Sequence, residues 1–446
     1  MLHIALFTAL LFAYSLLSKR LATTVVTAPL AFTAAGLLFS VAMPAFDRGL
    51  LGRPGFLLIA EIGLVMTLFT DATRTDLRAL RGNRNLPVRL LSTGMLLTIA
   101  LGVAAALLLL PGLTLFEAGI LASILAPTDA GLGQVIVSSE RVPARIRQAL
   151  NVEAGLNDGL SVPFLMLFLE LAREQAVGGA APVFARFVLE QLGYGAAIGA
   201  ALGLAGGFLL EAARRRDWIE GPFLKIGLVL LPVLCVLACE EAGASMFIAA
   251  FVAGLAVQVG FRDAGAHAIE FAEEWGQTLD FFVFYLYGLA AGPLLGAVDA
   301  RLVAYALASL TVVRMAPVAA ALAGSGLRAS TIWFMGWFGP RGLASIVLGV
   351  FYLEQEAQLP GEHAIRLAVV VTVLLSVFLH GLSALPGIEQ LDRVRRRADV
   401  TAPLVVLVGA CLAPAGVSAI LALAGAVSVP AMLVLTAIGT VPVPAY

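Results

Sequence analysis

The residues of this 446-residue chain that could do chemistry are ionisable groups stranded inside apolar runs: Glu61, Asp129, Glu153, Asp158, Arg314 and Arg341. An ionised side chain at mid-membrane costs roughly 2.5–3.5 kcal/mol on insertion scales, so each needs a reason to be there. The first framing sequence is Ala126-Pro127-Thr128-Asp129-Ala130-Gly131. Proline removes a backbone donor and collides with the preceding turn, and the glycine loosens the next turn. The expected result is a helix break with free carbonyls and amides at membrane depth, which is tolerated only where backbone lines a cavity or is buried in protein. Two readings stay open: a plain proline kink with Asp129 capping the second half-helix, or an ion site of the kind secondary transporters build from broken helices.

In Asn151-Val152-Glu153-Ala154-Gly155-Leu156-Asn157-Asp158-Gly159, the residues Glu153, Asn157 and Asp158 stand at i, i+4 and i+5. On a helix the first two share a face and Asp158 is turned away by about 100°. Carboxylates this deep are no solvated patch; they serve a function or a buried hydrogen-bond network. Arg314, in Thr311-Val312-Val313-Arg314-Met315, lies near the middle of its run. A buried guanidinium stays charged and needs a carboxylate, for which Glu153 is the candidate. Arg341 sits in Phe338-Gly339-Pro340-Arg341-Gly342, a second interrupted segment.

The elements that must position these groups follow from composition. The chain is 60% hydrophobic and 13% charged, whereas soluble domains carry about 25% charged residues. Its apolar runs, such as 90–110 and 302–323, are of helix-spanning length. The ten-residue alternation of a membrane barrel is absent. The expected class is an all-α polytopic membrane protein of about thirteen transmembrane helices, at about 2–18, 21–42, 54–70, 88–110, 113–139, 145–173, 183–211, 222–239, 243–260, 268–296, 301–323, 331–354 and 364–386. The first run is read as a membrane helix rather than a signal peptide, because its basic pair, Lys19 and Arg20, follows the apolar stretch. Spans five and twelve, one in each half of the chain, are both interrupted, and paired interruptions in corresponding positions point to a transporter site.

Basic residues fall in the odd-numbered loops: Lys19 and Arg20, Arg74 to Arg84, Arg141 to Arg147, Arg214 to Arg216, Arg262, Arg328, and Arg393 to Arg397. The even loops are poor in them, and Glu240, Glu241, Glu354, Glu356 and Glu362 make several acidic. Positive charge marks the cytoplasmic side, so the N-terminus is expected outside and Arg393 to Arg397 inside, in the cell (inner) membrane. Residues 1–395 form the expected transmembrane domain. Residues 396–446 form an apolar C-terminal tail, either two further short spans at about 404–424 and 428–444 or an interfacial segment.

The three framing motifs, in order, separation and host spans, resemble the signatures of the monovalent cation:proton antiporters, sodium/proton exchanger branch, of bacterial type. The resemblance covers about residues 1–395. It implies a homodimer of thirteen-helix protomers with two inverted six-helix repeats, and two broken helices that cross beside an Asn-Asp pair. By motif, Asp158 resembles the residue that binds cation and proton in turn, with Na+ held at Asp158. Asn157, Thr128 and Asp129 resemble residues that shape that site. Glu153 resembles the structural acid paired with the span-eleven arginine, here Arg314. Arg341 and Glu61 are expected to support the site, Glu61 as an acid of span three near the ion path. Ala154 stands where the family often carries serine, and the uncharged apolar tail after Val400 departs from the family's hydrophilic tails.

The implied function is secondary active exchange of a monovalent cation, Na+ first and Li+ or K+ otherwise, for H+, serving pH homeostasis. A hard cation wants several oxygens; Asp158 supplies charge, and Asn157, Thr128 and freed carbonyls supply neutral ligands. Asn-Asp rather than Asp-Asp resembles the electroneutral branch. The alternatives are a K+/H+ antiporter or a cation channel, although no symmetry-repeated filter is visible. An enzyme is not expected: His3, His267, His363 and His380 are scattered, and Cys235 with Cys239 is an incomplete metal set better read as packing. No cofactor is expected. Lipid is a partner, and no basic stripe with aromatics suggests nucleic acid.

Overall fold

The computed structural model describes residues 2–21, 24–42, 54–74, 85–129, 131–175, 193–261, 266–355 and 358–396. The apolar tail beyond Arg396, most arginines after span three, and Arg262 lie outside the described residues. Every regular element among the described residues is helical. In chain order they are α1 (Leu2–Leu21), α2 (Ala28–Ala42), α3 (Pro54–Arg74), α4 (Asn85–Arg89), a π turn (Leu90–Gly94), α5 (Met95–Leu109), α6 (Leu115–Ile124), α7 (Gln134–Val137) and α8 (Ala144–Gln175). There follow α9 (Gly195–Arg215), α10 (Gly221–Ala242), α11 (Met246–Gly260), α12 (Ala266–Ala291) with a 3-10 turn (Gly292–Ala297), α13 (Ala300–Leu310), α14 (Val312–Ala321), α15 (Ala329–Trp337), α16 (Leu343–Glu354) and α17 (Glu362–Arg396). Among the described residues, eight helical stretches are long and apolar enough to cross a membrane, and four shorter helices are apolar.

The breaks have local causes. The start of α6 is fixed by a capping box, in which Thr114 accepts the Glu117 amide and the Glu117 carboxylate accepts the Thr114 amide. Its end is fixed by Pro127, which has no N–H to continue the ladder, and the chain runs on without helix to the short α7. Span twelve divides in the same way into α15 and α16 around Pro340. Span eleven is also divided, which the residue pattern did not lead us to expect. Thr311 has φ −108° and ψ −91°, and its hydroxyl and its amide both turn back on the Leu307 carbonyl, at 2.6 and 3.0 Å. Such back-bonding by threonine competes with the ladder. Arg314 therefore lies in the first turn of a half-helix, not in mid-helix. Span three runs on to Arg74, past its expected end at about residue 70.

Packing sorts the described helices into two groups. In one, α2, α3 and α9 to α12 pack together; α9 lays Gly199 and Gly203 directly on the backbone of Ala249 and Ala253 of α11, the close approach that membrane helices use in place of a hydrophobic driving force. In the other, α5 to α8 pack with α13 to α17. Along the seam between them, α3 and α11 meet α8, and α3 and α12 meet α16.

Candidate functional site

The two non-helical segments lie against each other. The Asp129 amide donates to the Pro340 carbonyl at 2.8 Å. Arg341, with no exposed surface, donates through Nη1 to the Ala126 carbonyl and, at 3.0 Å, to the Pro127 carbonyl, the free acceptors at the end of α6. Its own amide donates to Ser376 Oγ of α17 at 2.6 Å. Asp129 answers with both carboxylate oxygens. Oδ1 accepts the Leu132 amide at 3.0 Å and Oδ2 accepts the Leu343 amide. The broken backbone of each span is thus satisfied by the other, as low-dielectric burial demands. Gly342 permits this: a Cβ there would run into Asp129 Oδ2.

Asn157, from α8, braces the same break. Its Oδ1 accepts the Thr128 amide at 3.2 Å, and its Nδ2 donates to Thr128 Oγ1 at 2.8 Å. The amide orientation follows from chemistry, since the Thr128 N–H can only donate. One turn earlier on the same face, Glu153 meets Arg314 in a two-pronged contact, Nη1 to Oε1 at 2.6 Å and Nη2 to Oε2 at 2.9 Å. Both side chains are 3% exposed, and a Cβ on Gly339 would strike the guanidinium.

Asp158 is different. It is buried, and its Oδ1 has no hydrogen-bond partner. No cation among the described residues pairs with it. Three further acids, Asp129, Asp71 and Asp280, lie within electrostatic reach. A small cavity beside Thr128 and Asp129 is walled by Leu150, Ala154, Phe338 and Pro340.

Sequence reasoning missed Asp71 and Asp280. Asp71 fell in an expected loop because span three was ended too early; the side chain packs on Gly155, one turn from Asp158, where a Cβ would stand 3.1 Å from its own Cβ. Asp280 could have been found by the rule that singled out the others, a carboxylate inside the apolar span α12. Glu61 is buried on α3, ten residues before Asp71, or about 15 Å along the helix. The acid of α3 that packs against α8 beside Asp158 is Asp71.

The family model described as sodium/hydrogen exchanger, transmembrane, matches residues 6–389. Among curated relatives, Na(+)/H(+) antiporter 2 of Zygosaccharomyces rouxii is 26% identical over 277 residues, 57% of this chain and 33% of that protein. K(+)/H(+) antiporter NhaP2 of Shewanella baltica is 25% identical over 333 residues, 73% of this chain and 56% of that protein. The matches thus span from a third to somewhat over half of these relatives' own length. In fold, the chain resembles the sodium proton antiporter MjNhaP1 from Methanocaldococcus jannaschii, with a TM-score of 0.71 at 20% identity over 88% of this chain and 99% of that one. Since the family match runs unbroken from α1 into α17 and takes in both crossing segments, this chain belongs to the transmembrane sodium/hydrogen exchanger family.

Proposed function

We propose that this protein exchanges one monovalent cation, Na+ first, for one proton across the cell (inner) membrane, with Asp158 holding cation and proton in turn. The observation that carries the reading is the buried, unbonded Oδ1 of Asp158 beside a crossing in which Asn157 and Asp129 are both engaged with backbone amides. A buried bare carboxylate is costly; a proton or a cation neutralises it equally well, and each excludes the other. Asn157 is engaged with Thr128, Glu153 with Arg314, and Asp129 with the Leu132 and Leu343 amides. Those groups hold the frame, and Asp158 is the group left to exchange. The Thr128 hydroxyl accepts from Asn157 and keeps a lone pair for a cation.

Alternating access is movement of the group holding Asp158 against the group holding α3, α11 and α12 along their seam. The transport domain comprises residues 1–395, the protomers pair as a homodimer, and the N-terminus faces outward. K+ is the second candidate substrate, favoured by one observation: a relative matched over 73% of this chain is named a K(+)/H(+) antiporter. Ala154, at the cavity wall, brings no hydroxyl to the site. The test is exchange in proteoliposomes with an internal pH dye, titrated with Na+, Li+ and K+ in turn. Alkalinisation driven by none of the three would overturn the reading.

A further inference from the structure

His380 stands on α17 one turn after Ser376, and both side chains are buried. Its Nδ1 lies 3.1 Å from Ser376 Oγ and 3.0 Å from the Ser376 carbonyl. Ser376 Oγ is also the acceptor, at 2.6 Å, of the Arg341 amide in the non-helical segment of span twelve. The imidazole lies against the Trp337 indole, ring centroids 4.8 Å apart, and the indole N–H donates to Ser383 Oγ at 3.0 Å. α17 therefore grips span twelve on both sides of its break, at Trp337 where α15 ends and at Arg341 before α16 begins. Hydrogen-bond accounting assigns the protons. The Arg341 N–H can only donate, so the Ser376 hydroxyl accepts there and has its own proton left to give. With the proton of the neutral imidazole on Nε2, Nδ1 takes the hydroxyl proton, and only the Nε2 group goes without a partner. With it on Nδ1, that N–H turns to the Ser376 carbonyl, and both the hydroxyl proton and the Nε2 lone pair go without. Buried polar groups left unmet are costly, so the first arrangement is favoured.

We infer that His380 is a positioning residue of the crossing: its Nδ1 takes the Ser376 hydroxyl proton and so turns the Ser376 lone pair to the Arg341 amide. From there the contacts run to the site. Arg341, pinned by its amide, holds the Ala126 and Pro127 carbonyls with its guanidinium. Thr128, the next residue, meets Asn157 through both its amide and its hydroxyl, and Asn157 precedes Asp158 in the chain. Hydrogen bonds in series polarise one another in a low dielectric, so a hydroxyl that both accepts and donates holds Arg341 harder than one that only accepts. His380 touches no cation and exchanges no proton. It acts through Ser376, and its loss is felt in how well the oxygens around Asp158 are placed.

The inference rests on the exchange reading proposed for Asp158, and its test has one arm that does not. In proteoliposomes, His380→Leu is expected to raise the KM for Na+ by about fivefold, within the range of coupling between members of one network, with kcat within about twofold, as lost binding rather than lost turnover requires. His380→Asn, whose Oδ1 stands where Nδ1 stood, restores KM to near wild type. Ser376→Ala raises KM at least as much as His380→Leu. Adding His380→Leu to Ser376→Ala raises it no further, because the imidazole then has no hydroxyl to hold. A KM in His380→Leu equal to wild type overturns the inference. So does an effect of His380→Leu that persists undiminished in the Ser376→Ala background, which is what packing alone would give. The independent arm is nitrogen NMR of isotope-labelled histidine in the reconstituted protein near neutral pH, with the His380 signals identified by their loss in His380→Asn. Wild type is expected to show a proton on Nε2 and a bare, hydrogen-bonded Nδ1 whose signal moves in Ser376→Ala. A proton on Nδ1 overturns the inference whether or not the protein exchanges ions. Wild type that shows the expected imidazole but moves no protons against Na+, Li+ or K+ would sink the exchange reading and leave the hold of His380 on Ser376 standing.

Discussion

Asp129 holds the first residue of a helix that is not its own: its Oδ2 accepts the backbone N–H of Leu343, where α16 begins beyond the break in span twelve. The other oxygen accepts the Leu132 amide on its own span. One carboxylate therefore holds the first residue of α16 and the turn that leads into α7, joining the two crossing segments. Negative charge is favoured at a helix N-terminus, so this double contact works as a fixed counter-charge to the crossing.

Asp129→Asn is expected to weaken the fold more than its small size suggests. The new amide nitrogen must face one of two backbone N–H groups, donor against donor. Leaving a buried donor without an acceptor costs about 1–3 kcal/mol. Thermal unfolding in detergent reads the loss, and a variant as stable as wild type would show the double contact to be unimportant.

Asp158→Asn has the opposite signature. Its Oδ1 accepts no hydrogen bond, so little structure depends on its charge. Cation-driven proton movement is expected to vanish while yield and unfolding temperature are kept or raised, because an unpaired buried charge has been removed. Substantial exchange by this variant would remove Asp158 from the centre of the mechanism.

Glu153→Gln and Arg314→Gln each leave the partner buried and uncompensated, at a cost of about 3–5 kcal/mol. Both are expected to lose more stability than Asp158→Asn. Arg314→Lys is expected to recover only part, since a lysine cannot make the two-pronged contact now at 2.6 and 2.9 Å. Unfolding temperatures compared across the set check the order.

Much of this site could be read from residue types alone, and the reasons differ by residue. Pro127 and Pro340 announce the breaks, since a proline inside an apolar run cannot continue the ladder. Arg314 needed an acid, and the structure puts Glu153 against it. What could not be read is which carbonyls meet which donors. Nothing local links Arg341 to Ala126 and Pro127, or Asp129 to Leu343, because those pairs are more than two hundred residues apart. The packing of α12 on α3, with Thr67 donating to Asp280, depends likewise on a contact across 213 residues. Thr311 breaks its helix without proline or glycine, so span eleven read as continuous.

Orientation can be tested at two exposed loop positions. Glu220 lies in the loop between α9 and α10, after Arg214 to Arg216, and Pro360 in the loop between α16 and α17. If basic loops face the cytoplasm, a cysteine replacing Glu220 resists a membrane-impermeant maleimide applied to intact cells. A cysteine replacing Pro360 reacts. The reverse labelling pattern would invert the topology.

The last prediction concerns charge and pH together. Asn157 does not titrate, and its amide is spent on Thr128. Asp129 is fixed by two backbone donors, and Glu153 is locked to Arg314. Asp158 is then the one carboxylate of the crossing that gains and loses a proton each cycle. On the proposed reading, one cation is expected to move against one proton, with no net charge crossing. Because both ligands want the same ionised carboxylate, protons compete with the cation. In the acid range the KM for Na+ rises by up to about tenfold for each unit that pH falls, as for any cation whose ligand must first be deprotonated, while kcat at saturating Na+ changes far less. The experiment is Na+-driven proton flux in sealed proteoliposomes, across pH steps and at several clamped potentials. Rates independent of potential, with KM and not kcat carrying the pH dependence, fit one-for-one exchange. A steady current on a solid-supported membrane that reverses with the potential would mean that two protons move per cation. Asp129 would then have to give up its contacts with Leu132 and Leu343 in each cycle.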